Sequence, residues 1–459
     1  MHKIVHLDLK GAPLKSSYLE NVFKSAKAWG ATGILLEWED TFPYSGHLVD
    51  IGSVNNCNGE NMYSAEEVRH IIQSIKNNGL EPIQLIQTIG HMEFVLKHPA
   101  FRDLREAPRT PAVLCPSKPQ SQNLVKEMLK QALDMQSDAK YFHIGADEVW
   151  HTAVCPQCQS RAASSEHKAP SLFLEHIRDL VIFLKQIKPD LIVLMWDDML
   201  RSISLNTLQY YKIGELIQPV VWNYNVKEHF QIDPHLWDVY SKIFPSVWAG
   251  SAFKGANGSC QVLSPVVRYI SNQEAWVKEM KDNCQKVNFA GIILTGWSRY
   301  DHYSTLCELL PVSLPSLSSC LKTWSNMDES INNAKEVLPD DQWPGIELAL
   351  CMHSFVMLRE RSYKLIFGDL VSTWLNPWQV EHNYTSPVQV EGVTMTSHSL
   401  QIDLKGLQEQ LQRNLESVTG PRSTEEWMAS FFNPILTKMA ELHEIASKRS
   451  NADASVRPT

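Results

Sequence analysis

Eight short apolar runs, separated by stretches of helical periodicity, fill the first three hundred residues and constrain the fold more than any other feature. They fall at 4–9, 33–38, 82–87, 141–145, 191–196, 219–222, 246–248 and 291–297. Each is near strand length, roughly 4–8 residues. Helical spacing is clear at 18–29, 65–78, 122–136 and 171–187 and faint on either side of the sixth run; the eighth leads through 304–310 into a proline-rich stretch. Regular alternation of this kind gives a parallel sheet clothed in helices. Eight units in this length predict a closed (β/α)8 TIM barrel over residues 1–320. A doubly wound open sheet would show a glycine-rich phosphate turn after its first strand, and Lys10-Gly11-Ala12-Pro13 is not one. Beyond 320 the pattern turns helical, at 348–367, 399–415 and 425–446. Residues 321–459 therefore read as a C-terminal helical region, an appendage or a homodimer contact.

The residues at and just past the strand ends carry the functional signal. The first strand ends in Asp8 and Lys10, the second in Glu37-Trp38-Glu39-Asp40, and the third leads to Thr88 and His91. The fourth gives Asp147-Glu148, the fifth Trp196-Asp197-Asp198, the sixth Trp222-Asn223-Tyr224, the seventh Trp248, and the eighth Trp297, Arg299 and Asp301. Stability alone would scatter such residues, whereas an active-site mouth collects them at one end of a barrel. A single tryptophan is more often packing than contact, because indole is mostly buried anyway. Trp38, Trp196, Trp222, Trp248 and Trp297 together at one end read as aromatic faces for a sugar ring, with carboxylates for its hydroxyls.

The run His143-Ile144-Gly145-Ala146-Asp147-Glu148 places two adjacent acids at the end of an apolar strand. Neighbours on an extended chain point to opposite sides, so the pair is not expected to flank a sugar from both faces. In glycoside hydrolysis one of them would serve as proton donor. The nucleophile would then come from elsewhere, the substrate included.

Composition removes other classes. A net charge of -9 and a pI near 6.0 disfavour nucleic acid and anionic membrane surfaces. No apolar stretch reaches the roughly 18 residues of a membrane helix, and Asp8 interrupts the opening run before it resembles a secretory leader. Nine scattered cysteines, an odd number, argue against a disulfide framework and for a reducing cytoplasmic or nuclear compartment. On the same ground Asn383-Tyr384-Thr385 reads as a chance glycosylation triplet. Cys155-Pro156-Gln157-Cys158 has metal spacing but no second pair, so it reads as a loop with two free thiols, and neither metal nor cofactor is expected.

The run from His143 to Glu148 resembles the His-x-Gly-x-Asp-Glu signature of glycoside hydrolase family 20, the β-N-acetylhexosaminidases. Phe42-Pro43-Tyr44, Gly90-His91, Trp196, Trp222 and Thr295-Gly296-Trp297 agree with that family in chain order. The phrases starting at His6, Gly90 and Arg299 are similar to the D branch of these enzymes. The resemblance implies retaining hydrolysis assisted by the substrate, whose 2-acetamido oxygen attacks its own anomeric carbon to give an oxazolinium-type intermediate. Glu148 would protonate the leaving oxygen and then deprotonate water, while Asp147 would orient the acetamido N–H. A tethered nucleophile brings the high effective molarity of fixed geometry. By position Trp196, Trp222 and Trp297 would box the acetamido group and the sugar face, and Tyr224 would donate to the acetamido oxygen. His91 would steady one carboxylate and His143 would support from behind. Typical members carry an arginine after strand one and Trp-x-Glu after strand eight. Here Asp8 and Lys10 stand at the first place, and Arg299, with Asp301 nearby, stands at the second. Hydroxyl recognition is therefore expected to be wired differently, with a lean toward accepting galactosaminides. The implied partners are N-acetylhexosamine glycoconjugates.

Three other readings compete. A metal-dependent barrel hydrolase would use His143, Asp147, Glu148 and His151, although barrel hydrolases draw ligands from several strands. A catalytically silent sugar-binding barrel would have no need of the intact acid pair. A double-displacement glycosidase would take its nucleophile from Asp197 or Asp301.

Overall fold

In the computed structural model, which describes residues 1–52, 61–325 and 342–452, the apolar runs become eight parallel strands closed into one barrel. They are β1 (His2–Asp8), β2 (Gly33–Glu37), β3 (Glu81–Leu85), β4 (Tyr141–His143), β5 (Ile192–Trp196), β6 (Gln218–Trp222), β7 (Val247–Lys254) and β8 (Phe289–Gly296). Each pairs with its sequence neighbours, and β8 returns to β1 through the register His2↔Gly291 to Val5↔Leu294. Closure leaves no open edge, and both strand faces are covered, which is why the runs read as continuous apolar segments. Inward side chains of Ile4, Leu35, Ile83, Leu194, Val220, Trp248 and Ile293 fill the interior.

The clear helices form close to where their spacing places them: Ser16–Ala28, Ala65–Asn77, Pro119–Asp134 and Ala169–Ile187. The second starts at a capping box, in which Ser64 accepts the Glu67 N–H and the Glu67 carboxylate accepts the Ser64 N–H. The faint connections are faint because their helices are short, Leu205–Tyr210, Ile213–Leu216 and Pro234–Tyr240.

Two elements differ from the sequence reading. β7 runs on through small residues to Lys254, because Trp222 on the neighbouring strand leaves no room there. A Cβ on Gly250 would sit 2.9 Å from the Trp222 Cβ. The proline-rich stretch is itself a helix, Leu310–Ser325, with Pro315 inside it. Pro315 has no N–H for the carbonyl four residues earlier. That carbonyl, on Pro311, instead accepts the Trp343 indole N–H at 2.8 Å. This helix crosses residue 320. The compact units are Met1–Pro344 and Gly345–Thr459.

The second unit is helical. Ile346–Ile366, the long Pro387–Val418 and Asn433–Ser450 pack through Leu348, Phe355, Leu404, Leu411, Phe432 and Met439. The Phe355 ring meets Trp427 edge-on at 5.3 Å. Among the described residues no helix is long and apolar enough to cross a membrane.

Candidate active site

The strand part of β4 stops at His143, and the acids sit on the irregular segment beyond it. Gly145, Ala146 and Glu148 all have left-handed backbone, with φ of 62°, 66° and 50°. For Ala146 and Glu148 that geometry costs about 1 kcal/mol each or more. Extended-chain alternation therefore does not apply, and the expectation that the two carboxylates point to opposite sides is corrected. Both reach one nitrogen: His91 Nε2 lies 3.4 Å from Asp147 Oδ2 and 3.4 Å from Glu148 Oε2.

Three neighbours impose the turn. Gln87, just past β3, accepts the Ala146 N–H at 3.1 Å and donates to Asp147 Oδ1 at 2.9 Å. Gly145 has to be glycine, since a Cβ there would lie 2.1 Å from Gln87 Oε1. Gly90 likewise admits the Asp147 carbonyl, 2.0 Å from where its own Cβ would stand. From β5, Asp198 Oδ2 accepts the Glu148 N–H at 2.9 Å, and its other oxygen faces the Trp222 indole N–H at 3.3 Å.

The charges result from this packing. Burial pushes the Asp147 carboxyl up, but the adjacent His91 and the Gln87 hydrogen bond outweigh it and hold Asp147 below the usual range. Burial disfavours the His91 cation, yet its two carboxylates raise it well above an ordinary imidazole. Asp147 is thus an anion and His91 its cation. Burial and the charge of Asp147 push Asp198 up to about 7. His143 is buried, pushed down to about 3 chiefly by burial, and accepts the Gly145 N–H at 3.0 Å through Nδ1.

A cavity of about 420 Å³ opens over the pair, lined by Lys10, Glu37, Gln87, His91, Asp147 and Glu148 together with Trp196, Trp222, Tyr224 and Trp297. Trp196 and Trp297 meet at 5.9 Å and 50°, and Trp222 stacks on Tyr224 at 5.2 Å and 22°. The Trp196 indole N–H is buried with no acceptor among the described residues. Lys10 Nζ lies 5.0 Å above the Trp297 ring.

Other expected residues lie elsewhere. Trp38 and Trp248 are buried: Trp38 donates to Gln84 at 3.1 Å, while Trp248 donates to Gln218 at 2.8 Å from near the start of β7, at the opposite end of the barrel. Asp8 does not line the cavity. Its Oδ2 accepts Lys10 Nζ at 2.7 Å and the Ser298 N–H at 2.8 Å, clasping the loops after β1 and β8. Asp301 also lies outside, accepting the N–H groups of Tyr303 and Ser304 at 2.8 and 2.9 Å. Arg299 lines the cavity, but its guanidinium donates to the carbonyls of Lys10, Gly11 and Ser304 at 3.0, 3.1 and 2.7 Å. Asp197 is buried against Arg201, at 2.8 and 2.6 Å, and Tyr240.

Neither acid offered as a double-displacement nucleophile thus faces the cavity. Among the described residues, donor groups close enough to share a metal occur at Glu39, Asp40 and His302, and around three cysteines. Neither cluster includes Asp147 or Glu148, so the proposed ligand set of the metal-dependent reading does not assemble. Sequence reasoning passed over Gln87, Asp198 as an anchor, and the loop from Gly255 to Ser259, and it read Glu37 among the strand-end acids without singling it out. Only Asp198 and Glu37 had a signal, as acids at or just past strand ends.

The model of the family described as "Glycosyl hydrolase family 20, catalytic domain" matches residues 37–232. Hexosaminidase D of Homo sapiens is 35% identical over 98% of this chain and 95% of its own length. The chain belongs to glycoside hydrolase family 20. Hexosaminidase D of Bos taurus is 40% identical over 72% of this chain and 94% of its own. Among solved structures, the β-N-acetylhexosaminidase of Bacteroides fragilis NCTC 9343 superposes with a TM-score of 0.51 at 16% identity, covering 70% of this chain and 65% of that one. The Flavobacterium johnsoniae chitobiase gives 0.51 at 13%, covering 99% and 73%. At such identities they speak for the barrel fold. As a family 20 member the chain is a glycoside hydrolase of the β-N-acetylhexosaminidase type. The family match ends within the loop after β6, so Trp297 and the rest of the β8 side lie outside it and within the stretch aligned with the Homo sapiens relative.

Proposed function

We propose that the chain removes terminal β-linked GalNAc or GlcNAc from glycoconjugates with retention, using the substrate's acetamido oxygen as nucleophile. One observation carries the reading: the two adjacent carboxylates stand on one wall, joined through His91, facing an aromatic box. Among the described residues Glu148 meets no cation within ion-pair distance other than that shared imidazole, and it stands where it can give a proton to the leaving oxygen and take one back from water. Asp147, kept anionic by His91, accepts the acetamido N–H and stabilises positive charge as the ring closes. Burial holds the Tyr224 hydroxyl in its protonated form beside Thr295 and Trp297, ready to donate to the acetamido oxygen. Trp196, Trp222 and Trp297 enclose the methyl and the ring face. Lys10, paired with Asp8 at 2.7 Å, and Glu37, whose Oε2 bonds His6 Nε2 at 2.9 Å, are the charged wall groups held in place to meet the outer hydroxyls. Arg299 shapes the wall through the backbone it holds.

The described cysteines are free thiols, two of them exposed, which fits a cytoplasmic or nuclear setting. The second unit is the candidate for a homodimer contact.

The test compares paired aryl β-glycosides carrying a 2-acetamido or a 2-hydroxyl group. Cleavage confined to the acetamido substrate, with strong inhibition by a thiazoline analogue of the closed ring, is the expected result. Equal rates on the two substrates would overturn the mechanism.

A further inference from the structure

Away from the cavity, the fold gathers four donors that neither the hydrolytic chemistry nor the barrel core uses. Cys115 Sγ lies 3.5 Å from Cys155 Sγ and 3.6 Å from Cys158 Sγ, and Cys158 Sγ lies 3.2 Å from Glu106 Oε2. All four donor atoms fall within 4.8 Å of one another. A tetrahedron built on zinc–sulfur bonds of about 2.3 Å has edges of about 3.8 Å. The observed spacings are close to those edges and far from a sulfur–sulfur bond of about 2.05 Å.

The surroundings are arranged for negative charge. Val154 and Cys155 give their N–H groups to Glu106 Oε1 at 2.6 and 3.0 Å, leaving Oε2 turned toward the thiols. The Cys158 N–H points at Cys155 Sγ at 3.3 Å, where the helix Pro156–Ser164 begins. Ser117 Oγ lies 2.9 Å from Cys158 Sγ and accepts an Arg161 N–H at 3.0 Å. Glu106, Cys115 and Cys158 are buried and Cys155 is half-buried. Four protein donors complete a tetrahedral set with no position left for water or substrate, which makes a structural site rather than a catalytic one.

We propose that Glu106, Cys115, Cys155 and Cys158 bind one zinc ion. Each thiol releases its proton to solvent as its zinc–sulfur bond forms. Two thiolate pairs are the common pattern for such a site, and here Cys115 and Glu106 take the place of the second pair. The reading of Cys155 and Cys158 as two unengaged thiols is thereby revised. The ion would join two segments that serve the active site. One is the hairpin Arg105–Ala107 with Thr110–Leu114, whose backbone holds Ile89 and Met92 on either side of His91 at 2.9 Å each. The other is the loop that leaves Asp147 and Glu148 and ends at Cys155. The clip therefore fixes the distance between the imidazole and the carboxylates from outside the cavity.

The test measures metal in protein purified under reducing conditions, without chelators or metal-affinity resin. The expected content is about one zinc per chain. It should fall to background in C115S and C158S and persist in C284S, which alters an exposed cysteine outside the cluster. Should the two variants fail to fold, cobalt(II) exchanged into the unaltered chain gives an independent readout. Thiolate-to-cobalt charge-transfer absorption with the intense visible bands of tetrahedral cobalt supports the site. Absence of zinc together with absence of those bands overturns it, as does zinc retained in folded C115S and C158S, or a disulfide among the three cysteines of the native protein.

Discussion

The loops after β4 and β8 carry charged side chains at the same end of the barrel, yet they use those charges in opposite ways. After β4, Asp147 and Glu148 are aimed into the cavity, and the protein commits Gln87, Asp198 and three left-handed residues to keep them there. After β8, Arg299 and Asp301 turn back on local backbone, bonding three carbonyls and two N–H groups. A charge at a strand end is thus available for chemistry only where other groups satisfy the local backbone. Where the charged residue itself does that work, it is part of the scaffold.

The largest effect that can break this contrast belongs to Glu148. Glu148→Gln keeps the size and loses the transferable proton, so kcat should fall by about 10³-fold with an unchanged melting temperature. Asp147→Asn should cost about 10²-fold in kcat, and it should also weaken the hold of His91 on its proton, visible as a lower His91 pKa in an NMR titration. Normal turnover in either variant would remove the distinction between the loops. Arg299→Ala is expected to act on stability, losing about 2–4 kcal/mol in denaturant unfolding because buried carbonyls lose a charged donor. A raised KM with full stability would instead place Arg299 among the substrate contacts.

A smaller effect concerns Asp198, which anchors the β4 loop from β5. Its carboxyl in the fold is pushed up to about 7, above its unfolded value. The folded chain therefore binds this proton more tightly, and the resulting stabilisation is full below the unfolded value, near pH 4. It is lost as the pH rises toward 7. Asp198→Asn removes the titration, so the stability of the variant relative to the parent should rise between pH 4 and 7; a flat difference would argue against the buried carboxyl. Smallest is Asp301→Ala, expected to cost about 1 kcal/mol through the lost turn hydrogen bonds, with kcat/KM nearly unchanged. A large loss of kcat/KM there would bring the β8 loop into the chemistry.

Much of the architecture was legible because buried parallel strands and amphipathic helices write their periods directly into the chain. The helix at 310–325 was not, since prolines argue against a helix until Trp343 is seen taking the carbonyl that Pro315 leaves. Within the site, the family resemblance carried by the motif from His143 to Glu148 named the acids, and the chain order of Trp196, Trp222 and Trp297 at strand ends named the box. Strand alternation misjudged how the acids point, because it assumes an extended chain and φ at Ala146 and Glu148 is positive.

The order of residues by itself determined an eight-unit barrel with an acid pair after its fourth strand, since hydrophobic period and strand-end chemistry are local properties. Only the tertiary structure decided which charges face the cavity and which are consumed by backbone, that Trp38 and Trp248 belong to the core, and that Cys115 and Glu106 stand beside Cys155 and Cys158. Those outcomes depend on pairings between residues distant in the chain, and such pairings leave no period in a single sequence to read.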